Sequence, residues 1–438
     1  MSIQRDCPER DERYGWLGDA HLSVEEAMFN FDMAAFYAKY LRDIRDAQKP
    51  DGSLPDTVPA YLPDLFVYPT DPAWGTAYIT IAWAMYQFYG DASVLREHYD
   101  GMKKYIEFMR CNAEDDINSL GKYGDWCPPG SIGPKKTPVE FTATWYYYHD
   151  VLHIAKIAAV LDQEEDANLY QQLAEEIRTD FNKNFLKEDD QYEAHRLSVV
   201  DRLPNQTSQV LPLYLNLPPK NRRAGVLQKL LHSVINGSDY HVDTGILGTR
   251  FLLDVLSMND HTDVAYKIAT QKTYPGWGYM ISENATTLWE RWEKITGNSM
   301  NSHNHIMFGS IDAWFYRVLA GISLLEPGWG KIRIKPPILD DLNYASAKID
   351  TVIGEASISW EKGASEFTLF TNVPVGATAD VWLPLLWENA TVYENGTLIW
   401  KDEEPIESSS IHFNNKEDGY LRFYIGSGFY RFCVKKFV

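Results

Sequence analysis

Between Asp6 and Asp19 the chain packs five carboxylates (Asp6, Glu9, Asp11, Glu12, Asp19), two arginines, Trp16 and two glycines into fourteen positions. These residue types suit chemistry on a sugar. Acids move protons and accept hydrogen bonds from hydroxyls, arginines hold carboxylates in fixed geometry, an indole offers a flat apolar face to a pyranose, and glycines let the backbone turn tightly. The bland alternative, a solvated charged tail, fits poorly with a tryptophan and two glycines at such short spacing. A second cluster, Asn284-Ala-Thr-Thr-Leu-Trp-Glu-Arg-Trp292, sets Glu290 between two tryptophans and beside Arg291. Its alternative is a surface salt bridge from Glu290 to Arg291. On residue types alone, Glu9, Asp11 and Glu12 are equal candidates for the acid that faces a ligand.

Such residues need elements to position them. From about residue 22 to residue 322 the apolar positions recur at three- and four-residue spacing, broken by loops rich in Pro, Gly and Asp. Ten helices are expected, at 22–48, 74–89, 92–112, 141–161, 164–185, 206–216, 219–235, 243–258, 260–271 and 304–322. In the fifth, Ala167, Leu169, Leu173, Ile177 and Phe181 form the apolar stripe. Paired helices with short and long connections point to a toroid of helical hairpins. From Lys331 the pattern changes to period two, as in Ala356-Ser-Ile-Ser-Trp360 and Ala379-Asp-Val-Trp-Leu-Pro384, with Asn395-Gly396 as a hairpin turn. The expected division is a helical domain over 1–328 and a β-sandwich over 329–438. The sandwich is read as a structural cover, because it lacks an acidic and aromatic cluster of its own.

The 438 residues, 45% hydrophobic and 14% aromatic, are ample for a large core and a smaller domain. The 14 tryptophans and 27 tyrosines are more than a core holds comfortably, so some are expected to line a cleft. A net charge of −20 disfavours nucleic acid and anionic membrane surfaces as partners. No apolar run reaches the eighteen residues of a spanning helix and Met1-Ser-Ile-Gln-Arg5 has no apolar h-region, so the expected location is cytoplasmic. Cys7, Cys111, Cys127 and Cys433 have neither zinc-cage nor disulfide spacing. His303 and His305 have His-x-His spacing, but on the helix expected there they would diverge, and no metal or cofactor is expected.

Both clusters resemble the family-78 glycoside hydrolases, the inverting α-L-rhamnosidases. The pattern Asp-Cys-Pro-x-Arg running into Glu-Arg-x-Gly-Trp-x-Gly-Asp is matched from Asp6 to Asp19, and Ala-Thr-Thr-x-Trp-Glu-Arg-Trp from Ala285 to Trp292. Pro50-Asp-Gly-Ser-Leu-Pro-Asp56, Asp71-Pro-Ala-Trp-Gly75, Gly124-Asp-Trp126, Thr244-Gly-Ile-Leu-Gly-Thr249 and Asn301-Ser-His-Asn-His305 follow in the family's order, so the resemblance spans nearly the whole chain. It implies an (α/α)6 helical barrel of twelve helices followed by a C-terminal antiparallel β-sandwich. With ten helices counted and the acidic motif beginning at residue 6, the barrel is expected to lack its first one or two helices. A homodimer mate or another chain would then complete it.

The resemblance also implies site roles. Glu12, seven positions before Asp19, is the general acid, kept protonated by burial or by nearby negative charge. Glu290 is the base that activates water, with Arg291 helping to keep it ionised. Asp6, Arg10 and Asp19 hold sugar hydroxyls; Trp16, Trp74 and Trp126 pack on the ring and its C6 methyl; His305 binds a hydroxyl. The implied ligand is a rhamnose-containing glycoside. Trp74 and Trp126 stand in loop contexts expected to expose a ring. Two positions depart from the family: Asn284 replaces a common glycine, and His303 an aromatic. Competing readings are an inverting (α/α)6 glycosidase of other specificity and a non-catalytic sugar-binding remnant. A terpene-cyclase reading lacks its Asp-x-Asp-Asp motif.

Overall fold

In a computed structural model of the chain, residues 14–61, 64–134, 137–193, 206–296, 302–406 and 411–436 are described. The chain forms two compact units. The first comprises residues up to Glu25, Ala35–Ala84 and Ala92–Ile311; the second comprises Glu26–Ala34, Met85–Asp91 and Asp312–Val438.

The first unit is helical, and its helices alternate between buried and half-exposed. Helix Val139–Val160 buries almost every side chain from Phe141 to Ala158. A helix that is apolar all round belongs inside. Its successor, Glu164–Phe185, is amphipathic and folds back along it, so that Phe141 meets Phe181 and Phe185 at ring separations of 4.9 and 5.1 Å. The buried stripe is Tyr170, Ala174, Ile177, Phe181 and Phe185, while Leu169 is 58% exposed. The expected stripe was therefore rotated at its first turns, where Tyr170 outcompetes Leu169 for the interior because its ring covers more apolar area. Ile246–Met258 and Thr262–Ala269 repeat the buried and half-exposed alternation.

Three differences from the expected helices have local causes. The 22–48 segment is two helices, Val24–Asn30 and Ala34–Ala47, because Asp32 accepts a hydrogen bond from the Ala34 N–H and restarts the turn. The 304–322 segment becomes helical only at Met307, because Ser302 to His305 pair with another segment. The short helices Leu17–Leu22, Pro72–Gly75 and Trp277–Ser282 span too few residues for periodicity to reveal them.

The second unit holds a seven-stranded and a five-stranded sheet. Alternating buried residues, such as Ala356, Ile358 and Trp360 on one strand, form its core. Rings from the two sheets meet between them: Phe423 lies 6.4 Å from Phe432, and Trp400 lies 5.3 Å from Phe413. Asn395 and Gly396, both with positive φ, turn Thr391–Glu394 into Thr397–Lys401, as their types require. The pairing is not wholly antiparallel, since Lys331–Ile334 runs parallel to residues 378–381.

Candidate active site

The described end of the first acidic cluster is tied to the second through the Asn301–His305 motif. Asp19 lies in the fully buried helix Leu17–Leu22, and its Oδ1 stands 2.8 Å from Nε2 of His305. The His305 N–H donates to the Leu288 carbonyl at 2.9 Å, and the Glu290 N–H donates to the Ser302 carbonyl at 2.8 Å. Residues 288–290 and 302–305 thus run side by side in opposite directions. The Ser302 N–H completes the arrangement by donating to Oε2 of Glu290 at 2.8 Å. Glu290, only 2% exposed, is fixed in register with the histidine that holds Asp19. Asp6, Arg10 and Glu12 lie outside the described residues.

The flanking tryptophans explain why Glu290 points where it does. Trp292 is fully buried, stacks on Phe308 with ring centroids 4.0 Å apart and donates its indole N–H to the Thr244 carbonyl at 3.1 Å. Trp289 is buried on the other side and stacks on His303 at 5.0 Å. The Arg291 guanidinium pairs with Glu293 at 3.0 Å. Glu293 in turn accepts from the Gly130 N–H and from the Tyr274 hydroxyl. Burial pushes the Cys127 thiol well above its ordinary range, and the nearby charge of Glu290 adds to the shift.

Both departures from the family pattern preserve a local geometry. Asn284 has φ of +64°, a left-handed conformation in which asparagine is the best-tolerated substitute for glycine. His303 keeps an aromatic face on Trp289. His303 and His305 precede the helix rather than lying on it, so the expected reason for their divergence does not apply; the His305 ring is engaged by Asp19. Among the described residues no three His, Cys, Asp or Glu side chains converge as metal ligands.

The tryptophans expected to line the site differ in exposure. Trp16 and Trp126 are half-buried. Trp74 is only 3% exposed, contrary to the exposed ring expected of its loop. Asp71 caps a helical turn by accepting from the Ala73 N–H at 2.8 Å, Pro72 starts that turn, and the indole is directed against Gly18. A Cβ at Gly18 would come within 2.6 Å of that indole, so the Trp-Leu-Gly-Asp segment needs its glycine.

Two residues that the sequence reading missed organise this wall. Tyr123 contacts all three tryptophans, with ring separations of 5.8 Å to Trp16, 4.5 Å to Trp74 and 5.8 Å to Trp126. Its position directly before Gly124-Asp-Trp126 was the available signal. Asp125 is buried and accepts from the Thr207 hydroxyl and from the N–H groups of Gly245, Leu247 and Gly248 at 2.8, 3.0 and 3.1 Å. It caps helix Ile246–Met258, which accounts for the Thr244–Thr249 motif. Gly245 is required because a Cβ there would lie 2.3 Å from the Trp126 carbonyl oxygen.

Residues 1–319 match the bacterial alpha-L-rhamnosidase 6 hairpin glycosidase domain, and residues 321–397 match the bacterial alpha-L-rhamnosidase C-terminal domain. An alpha-L-rhamnosidase of Streptomyces avermitilis is 32% identical over 442 residues, covering 99% of this chain and 39% of that protein. An alpha-L-rhamnosidase of Formosa agariphila is 34% identical over 393 residues, covering 88% of this chain and 41% of its own length. Among solved structures, the alpha-L-rhamnosidase from Dictyoglumus thermophilum superposes with a TM-score of 0.93 at 51% identity, over 100% of this chain and 47% of that one. The Streptomyces avermitilis enzyme, solved in complex with L-rhamnose, superposes with a TM-score of 0.87 at 32% identity, over 99% and 40%. The chain therefore spans less than half the length of these relatives. With its helical region and the following sheet region each matched by a family domain in order, the chain belongs to the bacterial alpha-L-rhamnosidase family.

Proposed function

We propose that this chain carries the catalytic and C-terminal parts of an inverting α-L-rhamnosidase, which releases terminal α-L-rhamnose from rhamnosides or rhamnose-containing oligosaccharides. The observation that supports it most is the chain of bonds that links the buried Glu290 of one motif, through the 302–305 segment and His305, to the buried Asp19 of the other. In this reading the helical hairpins form an (α/α)6 barrel. Glu290 is the base that takes a proton from water as it attacks the anomeric carbon. Glu12 is the acid that gives a proton to the departing oxygen. Inversion requires the two carboxyl groups to stand roughly 6.5–9.5 Å apart, leaving space for the water. Asp19 and His305 orient hydroxyls, and the tryptophan wall meets the apolar side of the sugar.

Hydrolysis of a chromogenic aryl α-L-rhamnoside tests the reading. Glu12→Gln and Glu290→Gln should each lower kcat by roughly a hundredfold to ten-thousandfold. The first product observed by proton NMR should be β-L-rhamnose, the inverted anomer. Rhamnose binding without turnover would favour the binding remnant instead.

A further inference from the structure

We infer that Tyr123 is a positioning residue that braces the three tryptophans of the sugar wall and thereby sets discrimination at the C6 position; this rests on the rhamnosidase reading. The tyrosine is fixed at both ends. Its hydroxyl donates to Oδ2 of Asp56 at 2.8 Å, and its backbone N–H donates to Oδ2 of Asp71 at 2.8 Å. The two acids are themselves tied together, because the Asp71 N–H donates to Oδ1 of Asp56 at 2.8 Å. Lys122 serves both, with its ammonium on Asp56 at 2.8 Å and its N–H on Asp71 at 2.6 Å. Asp56 and Asp71 are fully buried, so these bonds are made away from water, where a missing partner is costly.

The brace gathers three motifs that otherwise have no common purpose. Asp56 ends Pro50–Asp56, Asp71 begins Asp71–Gly75, and Tyr123 precedes Gly124-Asp-Trp126. Each also carries or adjoins one of the rings. Trp16 is bridged through its backbone to Thr57, next to Asp56. Trp74 sits in the turn that Asp71 caps. Trp126 follows Tyr123 by three positions. The Tyr123 ring is the common contact of all three, edge-on to Trp16 and Trp126 and tilted against Trp74. A half-buried tyrosine held by two buried acids fixes the spacing of the wall more closely than packing alone, because its rotation about both ends is removed.

The chemical consequence concerns the sugar's sixth carbon. Rhamnose differs from L-mannose by the absence of one hydroxyl, so an apolar wall distinguishes them by refusing to solvate that group. A hydrophobic pocket rejects an added hydroxyl by about a hundredfold. That factor depends on the rings staying close enough to exclude water.

The test compares aryl α-L-rhamnoside with aryl α-L-mannoside for the unaltered chain, Tyr123→Phe and Tyr123→Leu, together with calorimetric binding of L-rhamnose. Tyr123→Phe keeps the ring but loses the bond to Asp56, and should raise KM by about threefold to tenfold with kcat changed by less than about twofold. Tyr123→Leu should lower the rhamnoside-to-mannoside ratio of kcat/KM by about tenfold. Variants that keep the circular dichroism and Tm of the parent but show unchanged KM and unchanged ratio would overturn the brace while leaving the rhamnosidase reading intact. If Tyr123→Leu does not fold, the KM of Tyr123→Phe decides. A parent chain that neither binds L-rhamnose nor hydrolyses its glycoside would overturn the rhamnosidase reading, and the brace with it.

Discussion

Four buried acids of the helical unit and one buried acid of the sheet unit hold different kinds of partner. In the helical unit Asp56, Asp71, Asp125 and Glu290 are buried, and each accepts from at least one backbone N–H group of a remote segment. In the sheet unit Asp380 is buried on strand Thr378–Pro384 and accepts from two nitrogens of Arg422, Nε and Nη2, on the neighbouring strand, each at 2.7 Å. Strands satisfy one another's backbone groups through the ladder, so a carboxylate there has only a side chain to hold. Loops between helices have no ladder. In the helical unit these four acids supply the missing acceptors, whereas Asp150 and Asp254 there hold the side chains of Thr76 and Arg250.

Removing Glu290 should affect chemistry most. Glu290→Gln is expected to lower kcat by roughly a hundredfold to ten-thousandfold, while its effect on Tm stays within a few degrees, because the amide can still accept from Ser302. A steady-state assay beside a thermal melt checks both halves of this statement. Asp125→Ala should reverse the pattern and act on stability, costing about 3 kcal/mol in chemical denaturation, because three N–H groups and the Thr207 hydroxyl lose their acceptor. A smaller loss would mean that the clip is replaceable by water.

Asp71 gives the comparison a pH signature. Burial pushes its carboxyl from 3.8 to about 6, against the opposing effect of three N–H donors. Because the folded value lies above the unfolded one, the stability this group contributes is greatest at low pH and is lost as pH rises through 6. The stability difference between the parent and Asp71→Asn should therefore fall by about 2 kcal/mol between pH 4 and pH 7. Denaturant titrations at the two pH values measure it, and a constant difference would remove Asp71 as the cause. The smallest effect is expected in the sheet unit: Asp380→Asn should cost about 1 kcal/mol, since Arg422 keeps partial access to solvent, with kcat and KM unchanged. Any loss of activity there would contradict the division of labour.

What could be read from the sequence followed the strength of the local signal. The long helices were visible because their apolar positions recur over several turns. Leu169 was nevertheless assigned to the wrong side, since hydropathy does not rank a leucine against an adjacent tyrosine competing for one interior position. The Asn395-Gly396 turn was legible because few other residue pairs adopt two successive positive φ values. Glu290, Asp19 and His305 were legible through family motifs, and the structure brings them into one register. Tyr123 and Ser302 were not, because their importance lies in partners 50 or more residues away for the tyrosine and in a main-chain N–H for the serine. The pairing of Arg291 with Glu293 was not legible either, because the sequence offered Glu290 as the adjacent carboxylate.

The pairing of residues 288–290 with 302–305 has an engineering consequence. Glu290 is held at its own N–H by the Ser302 carbonyl and at its carboxylate by the Ser302 N–H, and neither bond uses a side chain of the 302–305 segment. The side chains at Ser302 and Asn304 can therefore be exchanged in a library that keeps the two main-chain bonds fixing the acid.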